Sequence, residues 1–106
     1  MIKLPNLDWF MGMLKFRGDG NYFSGSAGCD PILGNIESKV FRYRVWIRAN
    51  ENGFELVAVY YNGLYSYDAT DKSIMTEKIF EASAQGIEEV QNWLQDAQNR
   101  AIESFK

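Results

Sequence analysis

The sequence predicts an α+β domain in which an antiparallel meander of five or six strands has one face covered by a long C-terminal helix. Three observations support this fold class. Residues 39–48 alternate between two kinds of side chain with the period of two that a half-buried strand shows, and residues 54–61 are predicted to return as the next strand. Two Asn-Gly pairs follow these runs, where hairpin turns are expected. Residues 84–105 carry apolar side chains at three- and four-residue steps, as an amphipathic helix does.

The length and composition of the chain indicate one domain, spanning residues 1–106. Of its 106 residues, 46% are hydrophobic and 15% aromatic. A chain of this size and composition can bury a core without a metal or a disulfide.

Residues 9–26 are predicted to form a first hairpin. Residues 9–17 are apolar at nearly every position, which favours a strand. Met and Leu side chains and a capping Asp8 also fit a short helical turn over residues 7–13, and this alternative stays open. A turn rich in Gly and Asn then reverses the chain, so that residues 22–26 return as a short strand.

The middle of the chain is predicted to hold an irregular loop followed by the main meander. Residues 27–38 lack a clear periodicity, which is typical of a loop. The meander occupies residues 39–81. Its predicted strands are residues 39–48, 54–61, 64–69 and 74–81.

The Asn-Gly pairs predict the register of the meander. Asn-Gly suits a two-residue type I′ turn because both central residues need positive φ. Placing Asn52 and Gly53 in such a turn determines which residues of the two strands are neighbours. The predicted pairs are Val45 with Tyr60, Ile47 with Ala58, Arg44 with Tyr61, Trp46 with Val59 and Arg48 with Val57.

The C-terminal helix is predicted over residues 84–105, with Ser83 as its N-cap. Gly86 is expected to weaken its first turn, because glycine is a poor helix former. The apolar stripe of the helix should cover the sheet face that holds Phe41, Tyr43 and Val45. Its members are Ile87, Val90, Leu94, Ala97 and Ala101.

The opposite face of the sheet is the candidate binding surface. An exposed apolar island with a rim of arginines is predicted there, formed by Trp46, Val57, Val59 and Leu64. Trp, Tyr and Arg are the types enriched at binding hot spots. Two interpretations are open: the first hairpin packs over this face, or a partner binds there. The predicted protein-binding residues are Arg42, Arg44, Trp46, Arg48 and Tyr61.

Histidine is absent and Cys29 is the single cysteine, which restricts the chemistry that the chain can perform. Without histidine there is no Ser-His or Cys-His pair, and the common zinc sites cannot form. The glycines between residues 18 and 34 lack the motifs of phosphate-binding loops. We therefore expect no enzyme activity, no cofactor and no metal site.

The net charge of −3 does not favour nucleic acid or anionic lipid as a partner. No apolar run approaches the roughly 20 residues of a membrane span. The start of the chain lacks the features of a signal peptide, and a single cysteine fits a reducing compartment, so we expect a cytoplasmic protein.

The leading functional hypothesis is a protein-interaction module that binds an acidic partner surface or a second copy of the chain. In size and class the chain is similar to small acidic accessory proteins of phages, mobile elements and toxin-immunity systems. The alternative is a small-ligand-binding domain with a pocket between the sheet and the glycine-rich loop. Convergence of Asp30, Asp68 or Asp71 in one concave site would favour that alternative.

Overall fold

A computed structural model of the protein describes residues 2–12, 22–27, 40–63 and 67–105. A single-turn 3₁₀ helix, Lys72–Ile74, precedes the last strand. The main elements are helix α1 (Leu7–Met11), strands β1 (Tyr22–Ala27), β2 (Phe41–Asn50), β3 (Gly53–Asn62) and β4 (Thr76–Glu81), and helix α2 (Ala84–Phe105).

The strands of the described residues form one antiparallel sheet of four strands in the order β1-β2-β3-β4. The predicted α+β class, with an antiparallel sheet and one long C-terminal helix, is confirmed, whereas the prediction of five or six strands exceeds the four found. Residues 9–11 belong to a helix and residues 67–69 to a turn. Residues 13–17 and 64–66 of those two predicted strands, and residues 28–38 of the predicted loop, lie outside the described residues.

Helix α1 replaces the start of the strand predicted over residues 9–17. Asn6, and not Asp8, caps it: the Asn6 Oδ1 accepts a hydrogen bond from the Trp9 backbone N–H at 3.0 Å. Phe10 is fully buried and joins the core cluster together with Ile2. An apolar run without periodicity does not distinguish a strand from a buried helical turn, and the tertiary packing of Phe10 decides in favour of the helix.

The turn between β2 and β3 lies one residue earlier than predicted. Glu51 and Asn52 form it, and Asn50 pairs with Gly53. Gly53 is the one residue with positive φ among those described, so a type I′ turn, which needs two, is not formed. Asn50 stabilises the turn instead, because its Oδ1 accepts a hydrogen bond from the Asn52 backbone N–H at 2.8 Å.

The earlier turn moves the pairing of β2 with β3 by two residues. Val45 pairs with Ala58 rather than with Tyr60, and Ile47 pairs with Leu56. Successive side chains of a strand point to opposite faces, so a shift of two residues leaves every side chain on its predicted face. The predicted register was wrong, but the predicted faces are correct.

The second Asn-Gly pair forms no type I′ turn. Asn62 ends β3, and the backbone N–H of Gly63 still donates to the carbonyl of Val40 at 2.8 Å. Neither Asn62 nor Gly63 has positive φ. Strand β3 pairs directly with β4, which places Leu56 opposite Phe80.

Helix α2 packs on the predicted core face of the sheet. Ser83 caps it as predicted, because its Oγ accepts a hydrogen bond from the Gly86 backbone N–H at 3.0 Å. Among the described residues, no helix is long and apolar enough to cross a bilayer. The buried residues under α2 include Phe41, Val45, Ile47, Leu56, Ala58 and Phe80, and α2 contributes Ile87, Val90, Leu94 and Ala97.

The N-terminal segment lies on the same side of the sheet as α2. The Ile2 and Leu4 backbone N–H groups donate to the side-chain Oε1 atoms of Gln95 and Gln91, at 2.7 and 2.8 Å. Strand β1 pairs edge to edge with β2. In the described residues the predicted first hairpin therefore extends the sheet and supplies core residues, and does not form a layer over the opposite face.

Candidate functional site: a cleft on the arginine face

Strand β1 brings a row of polar and aromatic side chains beside the arginines of β2. Its Tyr22, Ser24 and Ser26 pair with Trp46, Arg44 and Arg42, respectively. Paired residues of an antiparallel sheet point to the same face, so these side chains lie on the side opposite α2. We call this side the arginine face; its members on β2 and β3 include Arg42, Arg44, Trp46, Arg48, Val57, Val59 and Tyr61.

A cleft of about 400 Å³ opens on the arginine face. It is lined by residues of β1 and β2, by Tyr61 of β3, and by Tyr67 and Asp68 of the turn at residues 67–70. We call it the arginine cleft. The side chains that carry its chemistry are Arg42, Arg44, Ser24, Ser26, Tyr22, Tyr61, Tyr67 and Asp68.

Arg44 is held between aromatic rings at the centre of the cleft. Its guanidinium carbon lies 4.1 Å from the centre of the Tyr22 ring and 4.5 Å from that of Tyr67. At such distances a ring attracts a cation through its quadrupole. The Arg44 Nε atom is buried and, among the described residues, has no hydrogen-bond partner. The Arg44 side chain is 21% exposed, so an anion that enters the cleft can reach only the exposed part of the guanidinium.

Asp68 forms an ion pair with Arg44. Its Oδ1 lies 3.8 Å from the Arg44 Nη1, and its side chain is 90% exposed. A charge-assisted hydrogen bond would be about 2.8 Å long, so the two groups attract each other without a direct hydrogen bond. Such an exposed ion pair is worth at most about 1 kcal/mol. Asp68 is therefore easily displaced from Arg44 by a competing anion.

Arg42 and Tyr61 form the other end of the cleft. The Arg42 Nε donates to the Gly63 carbonyl at 2.8 Å, which anchors its guanidinium to the end of β3. Tyr61 is 4% exposed. The cleft thus contains two cations on alternate residues of one strand, with hydroxyl groups from both neighbouring strands.

The structure brings some of the predicted binding residues together and separates others. Arg42, Arg44 and Tyr61 line the cleft. Trp46 lies beside it, edge-on to Tyr67 with 5.5 Å between the ring centres. Arg48 points away, and its Nη2 lies 3.4 Å from the Glu55 Oε2, because the shifted register places Glu55 and not Val57 opposite it.

The sequence also predicted an exposed apolar island around Val57 and Val59. These residues are 0% and 2% exposed, so they are part of the packed interior. The large apolar side chain that is exposed on β4 is Ile79, which pairs with Val57. The arginine face is therefore a polar and aromatic cleft beside buried valines, rather than an open apolar patch.

Tyr22, Ser24 and Ser26 were not recognised as site residues from the sequence. Their period-two alternation is visible, but the sequence does not show that β1 pairs with β2. Tyr67 and Asp68 were expected at the end of a strand, and they form a turn over the cleft instead.

The predicted carboxylate site is not assembled in the described residues. Asp68 lies at the cleft, whereas Asp71 caps the 3₁₀ helix by accepting a hydrogen bond from the Ser73 backbone N–H at 2.9 Å. That hydrogen bond lowers the pKa of Asp71 below its ordinary value. Asp30 lies outside the described residues. Within residues 2–12, 22–27, 40–63 and 67–105, no group of acidic and cysteine side chains could hold a metal ion.

Comparison of the chain with protein-family models, curated proteins and solved structures finds no match. The function proposed below rests on the arginine cleft.

Proposed function

We propose that the protein is a binding module without catalytic activity, and that its arginine cleft receives an anionic group of a partner protein. The observation that carries this proposal is Arg44, whose partly exposed side chain packs its guanidinium against two aromatic rings of the cleft. A cytoplasmic location belongs to the proposal and is supported by the single cysteine.

Preorganisation of Arg44 supports the proposal. An arginine side chain normally loses rotamer freedom when it binds, and this loss opposes binding. The rings of Tyr22 and Tyr67 already restrict the guanidinium, and the Arg44 side chain is only 21% exposed. An incoming anion therefore gains the electrostatic attraction at a reduced entropic cost.

The concave shape of the site favours a second candidate function, the binding of a small anionic molecule. Ligand pockets for small molecules begin at about 300 Å³, and the arginine cleft has about 400 Å³. Both candidates use the same guanidinium. They differ in whether the anionic group is attached to a protein.

The first experiment titrates the protein with hexaglutamate, followed by NMR of the backbone amides and of the Arg44 Nε–H. We expect shifts centred on Arg44, Ser24 and Tyr67. Replacement of Arg44 by Gln should weaken binding about tenfold or more, because a hydrogen bond to a charged group contributes about 1.5–3 kcal/mol. Equal binding by the wild type and the R44Q variant would overturn the proposal.

A matched control is Arg100→Gln, which removes an exposed arginine from α2 on the other side of the sheet. This variant should bind hexaglutamate as the wild type does. Equal loss in both variants would indicate attraction by net charge and not by the cleft. Light scattering then measures the oligomeric state of the native protein. If the wild type is a dimer and the R44E/W46A double variant is a monomer, the partner is a second copy of the chain.

A further inference from the structure

We infer that strand β4 is a second binding site, at which an extended basic segment of a partner protein adds to the sheet as a further strand. This inference is independent of the arginine cleft, because the cleft is lined by β1, β2, Tyr61 and the turn at residues 67–70. It follows from the position of β4 in the sheet, from the exposure of its side chains and from the charge pattern along the strand.

Strand β4 is an edge strand among the described residues. In the order β1-β2-β3-β4 it pairs with β3 on one side only. Alternate backbone N–H and C=O groups of an edge strand point away from the sheet, and an extended peptide can bind them through main-chain hydrogen bonds. Five of the six residues of β4 are exposed, and Phe80 is the buried one. A partner strand therefore has access to this edge.

The side chains of β4 on the arginine face form an acidic, apolar, acidic row. Glu77, Ile79 and Glu81 are alternate residues of the strand and pair with the residues of β3 that lie on that face. Ile79 is 51% exposed, although it pairs with the fully buried Val57. A partner strand would cover Ile79 with an apolar side chain, and the two carboxylates favour a cation on each side of that contact.

Glu81 gives a specific reason to expect a cation on the added strand. It lies directly opposite Glu55, and like charges in such positions destabilise a sheet. On the β2 side, the Arg48 Nη2 and the Asn50 Nδ2 contact the Glu55 carboxylate at 3.4 and 3.1 Å. A lysine or arginine beyond Glu81 would place a cation at both ends of the row that Arg48, Glu55 and Glu81 form across the sheet.

The charge of the second half of the chain also favours a basic partner. Residues 51–106 carry ten acidic and four basic side chains. Complementary charge increases the rate of encounter and disfavours partners of the same sign. An acidic or neutral strand would gain the same backbone hydrogen bonds at the edge of β4, but it would lack this attraction.

A second copy of the chain fits the edge less well than a basic segment does. Two-fold pairing of two β4 strands about Ile79 would place Glu77 of each copy opposite Glu81 of the other. Two-fold pairing about Lys78 would place the two lysines opposite each other. Like charges directly opposite are destabilising, whereas a strand with the pattern Lys-x-Ile-x-Lys avoids both repulsions.

The test uses a capped peptide, Thr-Lys-Thr-Ile-Thr-Lys-Thr, and an acidic counterpart in which glutamate replaces both lysines. NMR titration of the isotope-labelled protein should shift the amides of β4, with intermolecular contacts between Ile79 and the isoleucine of the peptide. The basic peptide should bind about tenfold or more tightly than the acidic one, since attractive pairs replace repulsive ones at two positions. Equal affinities, or shifts confined to the arginine cleft, would overturn the inference.

Two N-methylated forms of the basic peptide test whether the backbone is recognised. The N–H groups of alternate residues point to the same edge of a strand. One peptide is methylated at the two central threonines, and the other at the isoleucine and the second lysine. Strand addition requires that one of these peptides loses binding and the other retains it. Equal loss or equal retention would contradict strand addition.

The variant Glu77→Gln with Glu81→Gln removes both charges and keeps an oxygen at residue 81 that can accept from the Ser83 Oγ. It should weaken the basic peptide about three- to thirtyfold, because each cross-strand ion pair contributes a small stabilisation. The control, Glu88→Gln with Asp96→Asn, removes two charges from exposed positions of α2 and should bind within about twofold of the wild type. Equal weakening in both variants would indicate attraction by net charge and would overturn the inference.

A dilution series of the protein without peptide tests the choice of occupant. The amide signals of β4 should not depend on protein concentration. Shifts of β4 that grow with concentration would identify a second copy as the occupant and would overturn the assignment of a basic partner. Because hexaglutamate probes the cleft and the basic peptide probes β4, failure of this inference and failure of the proposed function are distinguishable.

Discussion

The ring of Tyr43 lies directly over Gly25, its partner on the neighbouring strand. A Cβ atom built on Gly25 would contact the Tyr43 hydroxyl and would lie 2.6 Å from its Cζ atom. Tyr43 is buried, which raises the pKa of its hydroxyl above the ordinary value. Glycine at this position therefore lets a large aromatic side chain cross to the edge of the sheet and reach the end of the arginine cleft.

Replacement of Gly25 by Ala should destabilise the protein by about 1–3 kcal/mol, the usual cost of forcing extra atoms into a packed site. Urea unfolding monitored by tryptophan fluorescence measures this change in the free energy of unfolding. Gly63→Ala is the matched control, because the one described atom near its Cβ would be the Tyr61 Cδ2, at 3.9 Å, and its φ is not positive. A cost below about 0.5 kcal/mol for Gly25→Ala would contradict the packing of Tyr43 over this residue.

At the scale of elements, the beginning of α2 is positioned by its contact with the end of β4. Ser83 caps the helix, and its Oγ also donates to the Glu81 Oε2 at 2.9 Å. Gly86, in the first turn, lies so close to the Glu81 backbone that a Cβ atom would collide with the Glu81 carbonyl oxygen. The sequence predicted Gly86 as a weak point of an isolated helix; in the folded protein it permits the tight connection from sheet to helix.

Helix propensity alone predicts that Gly86→Ala stabilises the protein, whereas we expect this variant to be less stable than the wild type. Propensity would favour the variant by about 1 kcal/mol, but the collision involves backbone atoms that cannot move aside as a flexible side chain can. We expect a net destabilisation of about 1–3 kcal/mol in thermal or urea unfolding.

Asn92→Ala, at an exposed position of α2, serves as the control for this prediction. It should stabilise the protein by a few tenths of a kcal/mol, since alanine is the better helix former. If Gly86→Ala also stabilised the protein, this result would contradict the close approach of α2 to the end of β4.

At the scale of the whole molecule, the sheet separates two environments. The core, α2 and the N-terminal segment occupy one face, and the arginine cleft occupies the other. The N-terminal segment is attached to the C-terminal helix by Gln91 and Gln95, whose side-chain carbonyls accept hydrogen bonds from the Leu4 and Ile2 backbone N–H groups. The two ends of the described chain are therefore coupled through one face of α2.

The double variant Gln91→Ala with Gln95→Ala should release the N-terminal segment. Each lost hydrogen bond contributes about 0.5–1.5 kcal/mol, so the stability of this attachment should fall by about 1–3 kcal/mol. Hydrogen exchange of the Ile2 and Leu4 amides measures it, and their protection should fall in the variant. Gln85→Ala, which removes an exposed side chain that donates to the Glu89 Oε1, should leave that protection unchanged. Equal exchange in the double variant and the wild type would contradict the attachment.

The sequence by itself determined which residues share a face. Alternation along β2 and the apolar stripe of α2 are local properties, because the geometry of a strand or a helix sets them from neighbouring residues. The assignment of Phe41 and Val45 to the core and of Arg42 and Arg44 to the opposite face survived a register error, because a shift of two residues preserves the alternation.

Only the tertiary structure decided what those faces form. Tyr22 pairs with Trp46, and Tyr67 folds back over Trp46 and Arg44. These contacts join residues more than 20 positions apart, and their energies depend on how whole segments pack. Local pattern does not determine such pairing, because the entropic cost of closing a loop grows only slowly with its length, so many alternative pairings have similar costs. The arginines of the candidate site were therefore predictable from the sequence, whereas the cleft that contains them was not.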